Sequence, residues 1–144
     1  LLIKEEDSAI ITAEGNPGLY VQWGLMFSKN HPILKRTIEL VIDNIKNNRY
    51  PHDIHKMTGP TVYTQAINDV HKSIFNEIID HNKITDDTDI IYKKDDISYR
   101  LFGKDYNEFA TYKDMSTARF LITRKTDWRT KHWREEQKVR SILK

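Results

Sequence analysis

Two groups of residues carry chemistry at spacings that would bring it to one ligand. Glu14 closes the short apolar run Ala9-Ile10-Ile11-Thr12-Ala13 and stands directly before Gly15-Asn16-Pro17-Gly18, which puts a carboxylate at the end of a strand and the start of a loop. A carboxylate so placed accepts hydrogen bonds from hydroxyl groups and can assist their deprotonation. The plainer reading is a turn carboxylate, and the residues leave both open. Gln22-Trp23 follows, an amide beside a broad ring face. That pair suits a ring-shaped polar ligand, but Trp23 is followed by Leu25, Met26 and Phe27 and reads first as core. The second group is Thr58-Gly59-Pro60 with Thr64. Here Gly59 permits close approach of a ligand to the backbone, Pro60 marks a helix start whose free N–H groups suit a phosphate or other oxygen, and two hydroxyls stand nearby. A well-capped helix start is the competing reading.

The elements that must position these residues follow from periodicity. Proline suits the first helical turn, where its missing N–H would be unpaired in any case, so Pro32 and Pro60 read as helix starts. After Pro32, Leu34, Ile38, Val41 and Ile45 recur at steps of four and three. They predict a core-facing stripe, with Lys35, Arg36, Glu39, Asp43 and Lys46 mostly opposite. After Pro60, Val62, Ala66, Val70 and Ile74 repeat, widened by Tyr63 and Ile67, and predict a helix running towards Ile78. Asn47-Asn48-Arg49-Tyr50-Pro51 breaks the pattern between them. Ala9–Ala13 reads as a buried strand. Asp89–Tyr92 and Ile97–Phe102 read as strands around the polar turn Lys93–Asp96. Ala118–Ile122 is a further strand candidate, and Trp133–Leu143 a closing helix.

Composition narrows the class. The chain has 144 residues, 38% hydrophobic and 31% charged, and a net charge of +2, which fits one α/β segment with a core of useful size. No apolar run approaches the ~20 residues that a membrane span needs, and the first residues lack a signal-peptide layout. With no cysteine, disulfides and thiolate metal sites are excluded, while the compartment stays open. The chain opens on Leu1-Leu2-Ile3 without methionine and is expected to be a segment of something longer.

Taken in order, Gln22-Trp23, His31-Pro32-Ile33-Leu34 and Thr58-Gly59-Pro60 followed by Thr64 resemble the C-terminal half of glycosyltransferase family 32, which includes the yeast initiating α-1,6-mannosyltransferase and its bacterial and viral relatives. The resemblance covers about Ala9 to Asn68. It implies a GT-A fold, a mixed α/β sheet with a nucleotide-sugar donor at the C-terminal strand ends, and hexosyl or mannosyl transfer to a glycan or polysaccharide with retained anomeric configuration. On that basis Glu14 would serve the acceptor, and Gln22, Trp23, Thr58, Gly59, Pro60 and Thr64 would bind substrate. The resemblance also implies a divalent metal, manganese in most relatives, on the donor diphosphate. Such an ion offsets the charge that builds on the leaving phosphate. It further implies a Golgi or secretory membrane setting in a eukaryote, or a cytoplasmic or inner-membrane one in a bacterium or virus, with any membrane attachment outside this chain.

The chain departs from the family pattern at two places. Relatives end an apolar strand with Asp-x-Asp after a Gly-Gly-x-Tyr turn, upstream of the region that Leu1 matches. Neither is present, so the donor metal site is expected outside this chain. Asp87-Thr88-Asp89 precedes a strand instead of ending one, and reads as a solvated turn. Relatives also carry a histidine five residues before a tryptophan, and in related enzymes it completes the metal shell. Here Trp128 stands five before Trp133, and the histidine is His132. It is either a shifted metal ligand or, more simply, a surface histidine at a helix start.

From Arg119 on, Arg124, Lys125, Arg129, Lys131, Arg134, Lys138 and Arg140 outnumber Asp127, Glu135 and Glu136, with Trp128 and Trp133 among them. A diphosphate, an anionic membrane surface or nucleic acid could each meet such a segment. The near-neutral whole favours a solvated face or a diphosphate contact, and no nucleic-acid partner is expected. A basic α/β binding module without catalysis, or an inactive remnant, is the alternative to an enzyme segment.

Overall fold

The computed structural model describes residues 4–16, 18–103 and 138–143. A four-stranded mixed sheet is built from β1 (Ala9–Thr12), β2 (Met26–Phe27), β3 (Asp89–Lys94) and β4 (Ile97–Phe102), in the order β2-β1-β4-β3. β1 runs parallel to β4, with Ile11 opposite Leu101, and antiparallel to β2. All four β1 residues are buried. A strand covered on both faces needs a continuous apolar run rather than alternation, and Ala9-Ile10-Ile11-Thr12 supplies one. β3 and β4 form a hairpin around Asp95-Asp96, where Asp95 takes a left-handed φ of 53° that aspartate tolerates.

Joining the parallel pair requires a crossover. It is made by α1 (Pro32–Lys46), the single turn α2 (Ile54–Met57) and α3 (Pro60–Phe75), followed by a 3-10 turn at His81–Lys83. Both longer helices begin on their proline, as the sequence predicts. The core lies between the sheet and the helices. Ile11, Tyr99 and Leu101 from the strands meet Ile33 of α1 and Tyr63 and Ile67 of α3, with Tyr20, Ile79 and Ile84 closing the ends. Full burial of such side chains stabilises by about 1.5–3 kcal/mol each.

Four expectations change. α1 forms, but not on the predicted face: Ile38 and Ile45 are 52% and 40% exposed, whereas Ile33 and Asn44 are buried. The line that docks carries polar anchors, which a hydrophobicity reading discounts. Asn44 Nδ2 donates to the carbonyls of Lys56 (2.9 Å) and Met57 (3.2 Å), holding α2 against α1, and Arg36 bonds Asp69 of α3 at 2.7 Å. α3 stops at Phe75, short of Ile78, because Asn76 turns left-handed with φ 57° and caps the helix by bonding the Lys72 carbonyl. β3 extends to Lys94, so the turn is shorter than expected. At the C-terminus Lys138 and Val139 are helical, but Ser141–Leu143 are not; Ile142 N–H instead donates to the Pro51 carbonyl at 2.7 Å. The strand expected at Ala118–Ile122 and the rest of the closing helix lie outside the described residues. Among the described residues no helix is long and apolar enough to cross a membrane.

Candidate functional site

The loop that carries Glu14 is a hairpin growing out of β1. Ala13 bridges Tyr20 in antiparallel fashion, Glu14 N–H donates to the Leu19 carbonyl (2.9 Å), and Val21 N–H to that of Thr12 (2.8 Å). Gly18 has φ +78°, which a side chain there would strain. Glu14 thus sits at the carboxyl end of a buried strand with a half-buried side chain, its Oε2 accepting a bond from Asn16 Nδ2 at 3.1 Å.

The second half of the hairpin meets the second group of sequence-selected residues. Gln22 Nε2 donates to the Thr58 carbonyl (3.1 Å), and Tyr20 N–H donates to Thr64 Oγ1 (3.0 Å). Gly59 allows a close approach, but the partner is the protein's own backbone: a Cβ there would lie 2.8 Å from His55 Cα and 3.0 Å from the Ile54 carbonyl oxygen. Pro60 starts α3 directly after this contact. The polar atoms that Gln22, Thr58 and Thr64 commit here hold the hairpin against the α2–α3 corner. Trp23 next to them is 42% exposed, which overturns the reading of it as core.

His31, the first residue of the His-Pro element, acts locally. Its Nδ1 accepts the Ile33 N–H at 3.3 Å as the cap of α1, which leaves Nε2 to donate to the Ser98 carbonyl at 3.0 Å. The same carbonyl accepts from Ser8 Oγ, so α1 is pinned to the start of β4. Burial holds the His31 imidazole below its ordinary value, with the Ser98 bond acting the other way.

A cleft of about 170 Å³ opens beside Glu14, lined further by Gly18, Leu19, His81, Asn82 and Ile84. His81 and Asn82 were not selected from sequence. They lie far from Glu14 along the chain, and the one local signal is the Asp80 side chain, whose Oδ1 accepts the Asn82 N–H at 3.0 Å and starts the 3-10 turn. The His81 ring packs on that of Tyr20, centroids 4.9 Å apart, and burial lowers its pKa while Asp80 pulls it back up. It is held towards the neutral form, able to donate from one nitrogen and accept at the other.

Two further polar clusters belong to the frame. Tyr99 Oη and His71 Nδ1 are 2.6 Å apart in a buried aromatic nest with Phe75 and Tyr92, and His71 Nε2 faces Glu77 Oε1 at 3.4 Å, long for a hydrogen bond. Burial lowers the His71 pKa, with Glu77 opposing. Arg100 binds both carboxylate oxygens of Asp89 at 2.7 Å and approaches Asp7 at 3.5 Å. This pairing holds Asp89 below the usual carboxylate range.

The pairing bears on the metal. Asp89 of Asp87-Thr88-Asp89 is engaged by a guanidinium, and among the described residues no three His, Asp or Glu side chains stand together as a cation site would need. The described residues therefore do not fit a resident divalent ion. His132 and the basic residues Arg124 to Arg134 lie outside them. Compared with protein-family models, curated proteins and solved structures, the chain matches none.

Proposed function

We propose that this chain is the acceptor-side and sugar-side portion of a retaining, GT-A-type glycosyltransferase resembling family 32, which moves a hexosyl group such as mannose from a nucleotide sugar to a glycan or polysaccharide. One observation carries the reading: Gln22-Trp23 and Thr58-Gly59-Pro60 with Thr64, far apart in the chain, meet in one bonded frame beside the carboxyl end of β1, where Glu14 faces a cleft, while His31-Pro32 anchors α1 at the opposite end of the parallel strands. The carboxyl ends of parallel strands are where open α/β sheets bind ligands.

In this reading the residues divide the work. Glu14 accepts a hydrogen bond from an acceptor hydroxyl and raises its nucleophilicity. Trp23, 42% exposed, contributes its indole to packing against a sugar. Gln22, Thr58, Gly59, Pro60 and Thr64 fix the loop from which both project. The donor diphosphate and its divalent metal, which would stabilise the leaving phosphate, belong to carboxylates other than those described.

The test is transfer by the full-length protein. With manganese and a panel of GDP-mannose and UDP-hexoses, the reading expects sugar incorporation into an oligosaccharide acceptor that a chelator abolishes. Absence of transfer from every donor, with the protein folded, would refute it.

A further inference from the structure

The cleft beside Glu14 has a composition that selects its ligand. Its acceptors are one carboxylate and one imidazole held towards neutrality, its side-chain amide is Asn82, and its walls include the apolar Leu19 and Ile84. An anion would meet the Glu14 carboxylate. A metal cation would find too few ligands. At about 170 Å³ the space lies below the roughly 300–1,000 Å³ of drug-sized sites, so it takes one small ring. A neutral ring that carries hydroxyls on its edge and C–H groups on its faces satisfies all of these walls: hydroxyls donate to Glu14 and exchange bonds with His81 and Asn82, and C–H faces cover Leu19 and Ile84.

We propose that Glu14, His81 and Asn82 form a subsite for one neutral hexopyranose that binds without metal and without nucleotide. The choice of a sugar rests on the transfer reading above, but the site needs neither the donor nor its ion. Charge-assisted bonds to a carboxylate are the strong ones, so Glu14 dominates the affinity.

The test is a titration of the 144-residue chain followed by amide NMR, using methyl α-mannopyranoside, methyl α-glucopyranoside and glucuronate in the presence of EDTA. The expected result is saturable shifts at Gly18, His81 and Asn82 with a Kd on the order of 1 mM for a neutral hexoside and weaker binding of glucuronate. Glu14→Gln should weaken the hexoside about tenfold and erase the discrimination against glucuronate, and Asn82→Ala should weaken it less. No saturable shift with either hexoside, or shifts that Glu14→Gln and Asn82→Ala leave intact, would overturn the subsite. Sugar transfer by the full-length protein with an unchanged acceptor KM in Glu14→Gln would also overturn it while leaving the transfer reading in place.

Discussion

The α2–α3 corner and the cleft at the end of β1 are built from similar residues put to opposite use. At the corner, the Gln22 amide donates to the Thr58 backbone carbonyl, the Thr64 hydroxyl accepts the Tyr20 N–H, and Gly59 packs on His55. At the cleft, Glu14, His81 and Asn82 surround open space. Residues that mark a resemblance most plainly can thus be those that build the frame, and the groups that meet a ligand can be less conspicuous. Substitutions should separate the two regions: those at the corner act through stability, those at the cleft through function.

The largest loss of stability is expected for Gly59→Val. Its Cβ would intrude on His55 and Ile54 backbone atoms that cannot yield cheaply, and overpacking of this kind costs about 1–3 kcal/mol or more. Thermal melting should show a large fall in Tm, with activity falling in parallel. Activity lost at an unchanged Tm would show that a ligand, not α2, occupies the space by Gly59. Next comes Thr64→Val, which keeps the shape but strands the buried Tyr20 N–H, at about 1–3 kcal/mol. Denaturant unfolding should show a lower midpoint at unchanged m. An unchanged midpoint would detach the hairpin from α3.

Acid should weaken the fold through its buried histidines. His31, His71 and His81 are all held below the ordinary histidine value of 6.5, chiefly by burial. The unfolded chain therefore binds more protons in this range, so stability is full above about pH 6.5 and falls as pH drops towards the folded values. Tm should decline between about pH 7 and pH 5, and His71→Asn, which leaves Tyr99 an acceptor, should flatten the decline. A Tm that rises on acidification would mean that Glu77 outweighs burial at His71.

How much of this was legible depended on the range of each interaction. The two proline helix starts, β1 and the β3–β4 hairpin are written in consecutive residues, and all are present. The face of α1 was not legible, because Asn44 and Thr37 occupy the docked side and Asn44 makes sense only once α2 is known. α2 itself is a single turn, too short for periodicity, and so the true neighbour of Gly59 stayed hidden. The cleft joins Glu14 to His81 through the hairpin and Tyr20, a contact that no spacing announces. Trp23 misled for a different reason: an aromatic beside Leu25-Met26-Phe27 looks like core, yet Met26-Phe27 is a two-residue edge strand and Leu25 is itself exposed.

The smallest effect on stability, and the largest on function, belongs to Glu14→Gln. The Glu14 side chain bonds exposed Asn16, and replacements away from buried features usually shift stability by less than about 0.5 kcal/mol. The most direct test of the contrast is therefore to measure sugar transfer and melting temperature together for the full-length protein and its Glu14→Gln variant. The account predicts an unchanged Tm with transfer reduced about a hundredfold, the scale of a lost general base. Transfer at the parent rate with the same Tm would contradict it, and would return Glu14 to the role of a turn carboxylate.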